Sequence, residues 1–317
     1  MVYKVLIATR SFGSTSQKPW DLLAAAGCEV SRADMSKKMT EERLIDLLDG
    51  MDAVIVGVVP MTARVFENTP NLKVVCAHGV GVDHIDLDAA SALGITIANC
   101  PGANDPSVAD LTIGLMIAVA RSIPRVEQEL KQGGWGRHKG GDLWKKTLGL
   151  IGLGRIGRGV AKRAIGFDME VIVHDPYVAQ DQTQLTDVKF DEFENVIKQA
   201  DFLSLHTPLT DETRNMIGSA ELAAMKPGAY LINTARGGLV DEQALFKALT
   251  ERQIAGAAFD VFLKEPPGNS PLLELDNMVA TPHIGAQTQE SIERMGVMAA
   301  QSVVAVLQGG QPLHRVR

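Results

Sequence analysis

The chain has 317 residues, with 45% hydrophobic and 22% charged side chains and a formal net charge of −7. At roughly 100–200 residues per domain this length predicts two domains, and the composition excludes a disordered chain or a collagen-like fibre. The acidic balance disfavours nucleic acid and anionic membrane as partners, because both select a basic face.

Short apolar, β-branched runs alternate with helical patterns along the chain. Residues 2–9, 53–57, 73–77 and 95–98 read as buried strands, and 19–26, 41–48, 63–68 and 87–93 as helices. Continuous apolar strands separated by helices require a parallel sheet covered on both faces, so the first hundred residues form one doubly wound α/β unit. Residues 110–130 read as one long helix, with Pro106 and Ser107 as its start signal. A second series opens at Thr147. Its strands are expected at 148–151, 170–174, 202–206, 230–234, 256–259 and 278–281, and its helices at 155–165, 190–199, 219–225 and 242–251. A last helix over 288–307 stops at Gly309-Gly310. Long helices on both sides of the second series predict that it is inserted into the first, with the last helix returning to the N-terminal domain.

Cys28, Cys76 and Cys100 make no metal or redox spacing and fit free thiols in a reducing cytosol. The opening Met-Val-Tyr-Lys-Val-Leu-Ile-Ala lacks a signal-peptide pattern. The longest apolar run, 111–120, is too short to span a bilayer. The expectation is a cytoplasmic protein with no membrane partner and no metal.

The first chemical signal is Gly152-Leu153-Gly154-Arg155-Ile156-Gly157, a G-x-G-x-x-G run that follows an apolar strand and opens a helix. That context gives the motif its mechanism. Gly152 permits the tight turn, Gly154 lets backbone approach a pyrophosphate, and Gly157 lets the helix pack on the strand. The helix N-terminus offers N–H groups and partial positive charge to the phosphates. Asp175, eighteen residues after Gly157, ends the next strand. A carboxylate there accepts both ribose hydroxyls and repels a 2′-phosphate, which favours NAD over NADP.

Three further strands end in polar residues: Asn233-Thr234-Ala235-Arg236-Gly237-Gly238, Asp260 to Glu265, and Thr281-Pro282-His283-Ile284-Gly285. In open α/β sheets ligands sit beyond the carboxyl ends of the strands. An arginine fork holds a carboxylate, a histidine exchanges a proton near neutral pH, and a glutamate beside it favours the imidazolium. With a dinucleotide, these are the parts for hydride transfer to a 2-oxo acid.

These segments, together with Gly79-Val80-Gly81-Val82-Asp83-His84-Ile85-Asp86 and the run from His206 to Thr213, resemble the D-isomer-specific 2-hydroxyacid dehydrogenase family, of the phosphoglycerate dehydrogenase-like type, nearly end to end. The resemblance implies a Rossmann NAD domain (102–285) inserted into a flavodoxin-like substrate domain (1–101, completed by 286–317). It implies a catalytic triad of Arg236, Glu265 and His283. Cofactor contacts are implied for Arg155, Ile156, Asp175, Thr207, Pro208, Thr213, Thr234, Asp260 and Gly285, with Asp260 orienting the carboxamide. The N–H groups of Val80 and Gly81 are expected to meet the substrate carboxylate, and His78 is a candidate substrate contact. A homodimer built around helices near 105–145 is also implied.

The match loosens at Val56 to Thr62, which has no cation where phosphoglycerate dehydrogenases usually carry a phosphate-binding arginine; Arg64 lies two residues further on. This apolar lining favours a small unphosphorylated 2-oxo acid. D-3-phosphoglycerate dehydrogenase is the alternative within the family. An NAD-responsive binding or co-repressor-like protein is the alternative from another class.

Overall fold

The computed structural model describes residues 2–179, 185 and 187–316. The chain divides into two compact units, Met1–Asn104 with Ala286–Arg317, and Asp105–Gly285.

In the first unit, strands β1 (Tyr3–Ala8), β2 (Cys28–Arg32), β3 (Ala53–Val56), β4 (Val74–Ala77) and β5 (Thr96–Ala98) alternate with helices α1 (Lys18–Ala25), α2 (Glu41–Leu48), α3 (Ala63–Glu67) and α4 (Leu87–Ala92). The sheet is parallel in the order β2-β1-β3-β4-β5, the flavodoxin-like arrangement. Strand alternation splits its apolar residues into two layers. Leu6, Val54, Val56 and Val75 face Leu44, Leu48, Val65 and Phe66 of α2 and α3. Val5, Ile7, Ile55 and Val74 face the other way, with Leu23 of α1. Helix starts are set by side-chain caps: Thr40 accepts from Arg43 N, Thr62 from Val65 N and Asp86 from Ala89 N. Sequence pattern did not reveal β2, an edge strand whose Cys-Glu-Val-Ser-Arg lacks an apolar run.

The second unit starts with α5 (Asp105–Ala120) and α6 (Ile123–Lys131). The single helix expected over 110–130 is therefore two, bent by 62°. Pro124 explains the break. It has no N–H for the Ala120 carbonyl and its ring would clash there, at a cost of about 3 kcal/mol. The Ala120 carbonyl accepts from Gly141 N instead, at 2.9 Å, and Ser122 turns the chain at φ 49°. After that come β6 (Thr147–Ile151), α7 (Arg155–Ile165), β7 (Glu170–His174), β8 (Val188–Phe190), α8 (Phe193–Gln199), β9 (Phe202–Leu205), α9 (Ser219–Ala224), β10 (Tyr230–Asn233), α10 (Glu242–Thr250), β11 (Gly256–Phe259) and β12 (Met278–Ala280). The parallel order β12-β11-β10-β9-β6-β7-β8 reverses between β6 and β9, as in a Rossmann sheet. The three-residue edge strand β8 had no sequence signal. Helices α5 and α7 pack on one face, and α8, α9 and α10 on the other.

The last helix, α11 (Gln289–Leu307), is capped by Thr288 and belongs to the first unit. Its Ile292, Met295, Ala299 and Val303 complete the layer containing Val5 and Ile7. The first crossover falls at Asn104/Asp105 rather than at 101/102, because Ala103 is buried in this layer and its carbonyl accepts from Arg294 Nε of α11 at 2.7 Å. Among the described residues no single helix is long and apolar enough to cross a membrane.

Gly157 is where helix α7 meets strand β6 most tightly. A Cβ there would lie 2.2 Å from the Gly152 carbonyl oxygen, a backbone atom that cannot yield alone. Gly157→Ala is expected to destabilise the second unit by about 1–3 kcal/mol, read as a lower thermal midpoint. An unchanged midpoint would show that the turn adapts freely.

Candidate active site

The β6–α7 turn is shaped by glycine in two different ways. Gly152 stands at φ +98°, and a Cβ on it would sit 2.6 Å from the His206 carbonyl oxygen. A Cβ on Gly154, by contrast, would meet nothing within 4 Å. Open space therefore lies in front of the α7 N-terminus, whose first N–H groups have no intrahelical partner. Asp175, just beyond β7, clips this turn: Oδ2 accepts from Leu153 N at 2.7 Å and Oδ1 from Tyr177 N at 2.9 Å. Each oxygen keeps a lone pair for a hydroxyl donor. Arg155 and Ile156 open the helix, and Arg155 Nε donates to Asp105 Oδ2 at 2.6 Å with its guanidinium largely exposed.

Beyond β9, Thr213 Oγ1 donates to the Pro208 carbonyl at 2.7 Å and accepts from Thr210 N at 2.8 Å, closing the 208–213 turn. The Thr207 hydroxyl lies 3.8 Å from Met216 Sδ. Thr234, beyond β10, is buried with its hydroxyl 2.9 Å from that of Thr112 on α5. Anion-binding N–H groups, an open approach and a terminal carboxylate fit a dinucleotide.

The same strand ends carry Arg236, Glu265 and His283. After β10, Asn233 ties down its own turn: its amide donates to the Arg236 carbonyl at 2.8 Å and its Oδ1 accepts from Ala235 N at 3.1 Å. The Arg236 guanidinium is half-buried and donates to the Ala235 carbonyl at 2.7 Å. Gly237 comes so close to the loop after β11 that a Cβ would lie 2.0 Å from Phe262 C. That loop carries Glu265, whose Oε1 accepts from Phe262 N at 3.0 Å. The next N–H, that of Leu263, donates to Glu242 Oε1 at 2.7 Å.

His283 follows β12 at φ 53°. Its Nδ1 donates to Glu265 Oε2 at 2.7 Å. An ionised carboxylate only accepts, so the proton sits on Nδ1 and Nε2 is left for exchange. The hydrogen bond to Glu265 raises the His283 pKa; burial opposes it, and the charges of Glu265 and Asp260 add to it against Arg236. For Glu265, burial pushes the carboxyl up. The His283 and Phe262 hydrogen bonds and the charges of His283 and Arg236 outweigh this and hold it below the ordinary range.

Asp260 plays a larger structural part than the sequence implied. Its carboxylate is in a residue only 2% exposed. Oδ1 accepts from the Thr281 hydroxyl at 2.6 Å and Ile284 N at 2.8 Å, and Oδ2 from Gly285 N at 2.8 Å. The Asp260 carbonyl accepts from His283 N at 2.9 Å. Only Oδ2 retains capacity for a carboxamide.

In the first unit, the Gly79 carbonyl accepts from Cys100 N at 2.8 Å and the Val80 carbonyl from Asn99 Nδ2 at 2.7 Å. Among the described residues no acceptor meets the N–H groups of Val80 and Gly81, so this turn offers two donors. His78, the candidate substrate contact, directly follows β4. It is 8% exposed, with Nδ1 3.1 Å from Ser11 Oγ and its ring edge-on to Phe12. Burial lowers its pKa to about 4, so the ring is neutral at neutral pH. Arg64 is held by Glu41 Oε2 at 3.2 Å and Glu42 Oε1 at 2.8 Å.

Residues 113–285 match the D-isomer specific 2-hydroxyacid dehydrogenase, NAD binding domain. A D-3-phosphoglycerate dehydrogenase of Methanocaldococcus jannaschii is 45% identical over 89% of this chain and 54% of its own. A hydroxypyruvate reductase of Thermotoga maritima is 42% identical over 84% of this chain and 89% of its own.

The chain belongs to the D-isomer specific 2-hydroxyacid dehydrogenase family.

Among solved structures of similar fold, the TT0316 protein of Thermus thermophilus superposes with a TM-score of 0.90 at 39% identity, covering 99% of this chain and 100% of that one. The chain spans about half the length of the phosphoglycerate dehydrogenase it matches. In this family member the second unit is the NAD-binding domain. Sequence reasoning named Asn233 only as part of a polar strand end and missed Glu242 and Asp105; the three hold neighbouring backbone or a neighbouring arginine. No motif marks such contacts, since they depend on which loops the sheet brings side by side. Among the described residues no cluster of His, Cys, Asp and Glu is suited to a metal.

His78 gives a pH test. The unfolded side chain protonates near pH 6.5 and the folded one near 4, so stability is full above the unfolded value and is lost as pH falls through that window. The loss attributable to His78 between neutral pH and about pH 5 is about 2 kcal/mol. Unfolding titrations of the parent and His78→Gln at both pH values check this. An equal loss in both proteins would contradict it.

Proposed function

We propose that this chain is an NAD-dependent dehydrogenase that interconverts D-2-hydroxy acids and 2-oxo acids, with Arg236, Glu265 and His283 as its catalytic residues. The observation that carries the reading is the His283–Glu265 hydrogen bond, 2.7 Å long, in the unit that also holds the dinucleotide turn. A nicotinamide dinucleotide held at the β6–α7 turn and Asp175 would supply the hydride for C2 of the oxo acid and would accept it in the reverse direction. Arg236 holds the substrate carboxylate through its guanidinium fork. Protonated His283 gives its Nε2 proton to the oxygen that gains charge at C2, and neutral His283 takes it back in oxidation. The raised His283 pKa extends the acid role to higher pH. Asp175 selects NAD over NADP by repelling a 2′-phosphate. In the first unit, the donors of Val80 and Gly81 suit a carboxylate.

The substrate we favour is small and unphosphorylated, such as glyoxylate or hydroxypyruvate. The 56–62 loop presents Val58, 79% exposed, and the nearby Arg64 is already matched by two carboxylates. The relative named D-3-phosphoglycerate dehydrogenase supports 3-phosphohydroxypyruvate as the second reading. Three free thiols fit a cytosolic location.

We also assign a homodimer. Helix α6 buries none of its residues although its pattern is amphipathic, and Trp135 beyond it is 78% exposed. An unpartnered apolar helix face with a large aromatic beside it suits an isologous contact.

His283→Ala is expected to lower turnover by about 10²–10⁴-fold while NADH affinity, read by fluorescence titration, stays within about twofold of the parent; undiminished turnover would overturn the triad. Against a panel of 2-oxo acids with NADH, unphosphorylated acids are expected to turn over fastest, and a preference for 3-phosphohydroxypyruvate would establish the second reading. Light scattering should give twice the chain mass at micromolar concentration, falling to one chain mass in Leu130→Glu/Trp135→Glu. A monomeric parent would remove the dimer.

A further inference from the structure

The hydrogen bond between His283 and Glu265 is only as well defined as the loop that carries Glu265. That loop follows β11 and exposes Leu263, Lys264 and Glu265 to solvent. Two successive backbone N–H groups fix it. Phe262 N donates to Glu265 Oε1 at 3.0 Å, a contact internal to the loop. Leu263 N donates at 2.7 Å to Glu242 Oε1, from the first residue of α10. Helix α10 is itself anchored, because Asp241 caps it by accepting from Gln243 N and Ala244 N. The backbone of Gly237 also presses against Phe262. Between Arg236 and Glu242 the chain runs only through Gly237–Leu239, Val240 and Asp241, so one short segment supports both the arginine and the loop of the glutamate.

We propose that Glu242 is a positioning residue for proton transfer: its carboxylate oxygen holds Leu263 N and thereby places Glu265 against His283 Nδ1. This rests on the triad reading above. Glu242 acts here as a hydrogen-bond acceptor and not as a charge on the histidine; the charges that act on His283 are those of Glu265, Asp260 and Arg236. A glutamine at 242 keeps an acceptor oxygen, whereas leucine keeps the volume and removes it.

Without the acceptor, Leu263 N must turn to water, the loop gains alternative positions, and Glu265 spends less time on His283. The imidazolium is then less stabilised, so the limb on which reduction fails as pH rises moves to lower pH.

The test compares Glu242→Leu, Glu242→Gln and Glu265→Gln by kcat for 2-oxo acid reduction across pH, with NADH binding followed by fluorescence. Glu242→Leu is expected to lower kcat about tenfold and to move the falling limb down by about half a pH unit or more, with NADH affinity within about twofold of the parent. Glu242→Gln is expected to rescue both. In the Glu265→Gln background, Glu242→Leu is expected to add no further shift, because the route runs through Glu265. A parental profile in Glu242→Leu, a glutamine variant as impaired as leucine, or an additive shift in the double variant would each overturn the proposal. Should Glu242→Leu not fold, Glu242→Met, which also removes the acceptor at similar volume, is read in its place with the same expected and overturning results. Failure of the triad reading is separable, as it would show as an unshifted profile in Glu265→Gln itself.

Discussion

A buried carboxylate without donors is too costly to keep, and Asp260 shows how this protein satisfies one. Taking such a group out of water costs several kcal/mol unless hydrogen bonds replace the lost solvation. The three donors that do so all come from residues 281–285, the loop carrying His283. The carbonyl of Asp260 takes a fourth, from His283 N. Satisfying Asp260 therefore fixes the backbone of the histidine, including its left-handed φ of 53°. A strained residue held by several independent contacts is typical of a site where geometry is maintained at the expense of local comfort.

From that anchor the site is assembled outwards by backbone contacts. Asn233 shapes the turn of Arg236, Gly237 seats that turn on Phe262, and Phe262 and Leu263 place Glu265. The Asn233 and Phe262 bonds are local to their loops, while the Gly237–Phe262 approach and the Leu263–Glu242 bond join segments more than twenty residues apart in sequence that lie together at the carboxyl ends of β10 and β11. The parallel Rossmann sheet is what makes them neighbours, and the same sheet brings the β6–α7 turn and Asp175 to that end.

Most central strands and helices could be read from the chain because burial on both faces demands unbroken apolar runs, as in Ala53–Val56 and Val74–Ala77. The edge strands Cys28–Arg32 and Val188–Phe190 lack that demand and were silent. The break between α5 and α6 was present in the sequence as Pro124, but the strong apolar pattern on its N-terminal side masked it. At the site, residues whose chemistry is intrinsic (the glycines, Asp175, Arg236, Glu265, His283) stood out by type and position. Asp260 stood out too, yet its hydrogen bonds to the 281–285 loop could not be foreseen. Glu242 carried no signal, because a glutamate at a helix start is favourable for the dipole in any protein. The burial of His78 was equally hidden, since it depends on Ser11 and Phe12 at the end of a different strand.

The central claim is that Glu265 holds His283 ready as a proton donor. The most direct measurement is the titration of the His283 ring by NMR in the parent and in Glu265→Gln. The account predicts that His283 in the parent titrates above its ordinary value of 6.5 and that the substitution brings it down. A His283 that titrates at or below 6.5 in the parent, and does not respond to the loss of the carboxylate, would contradict it.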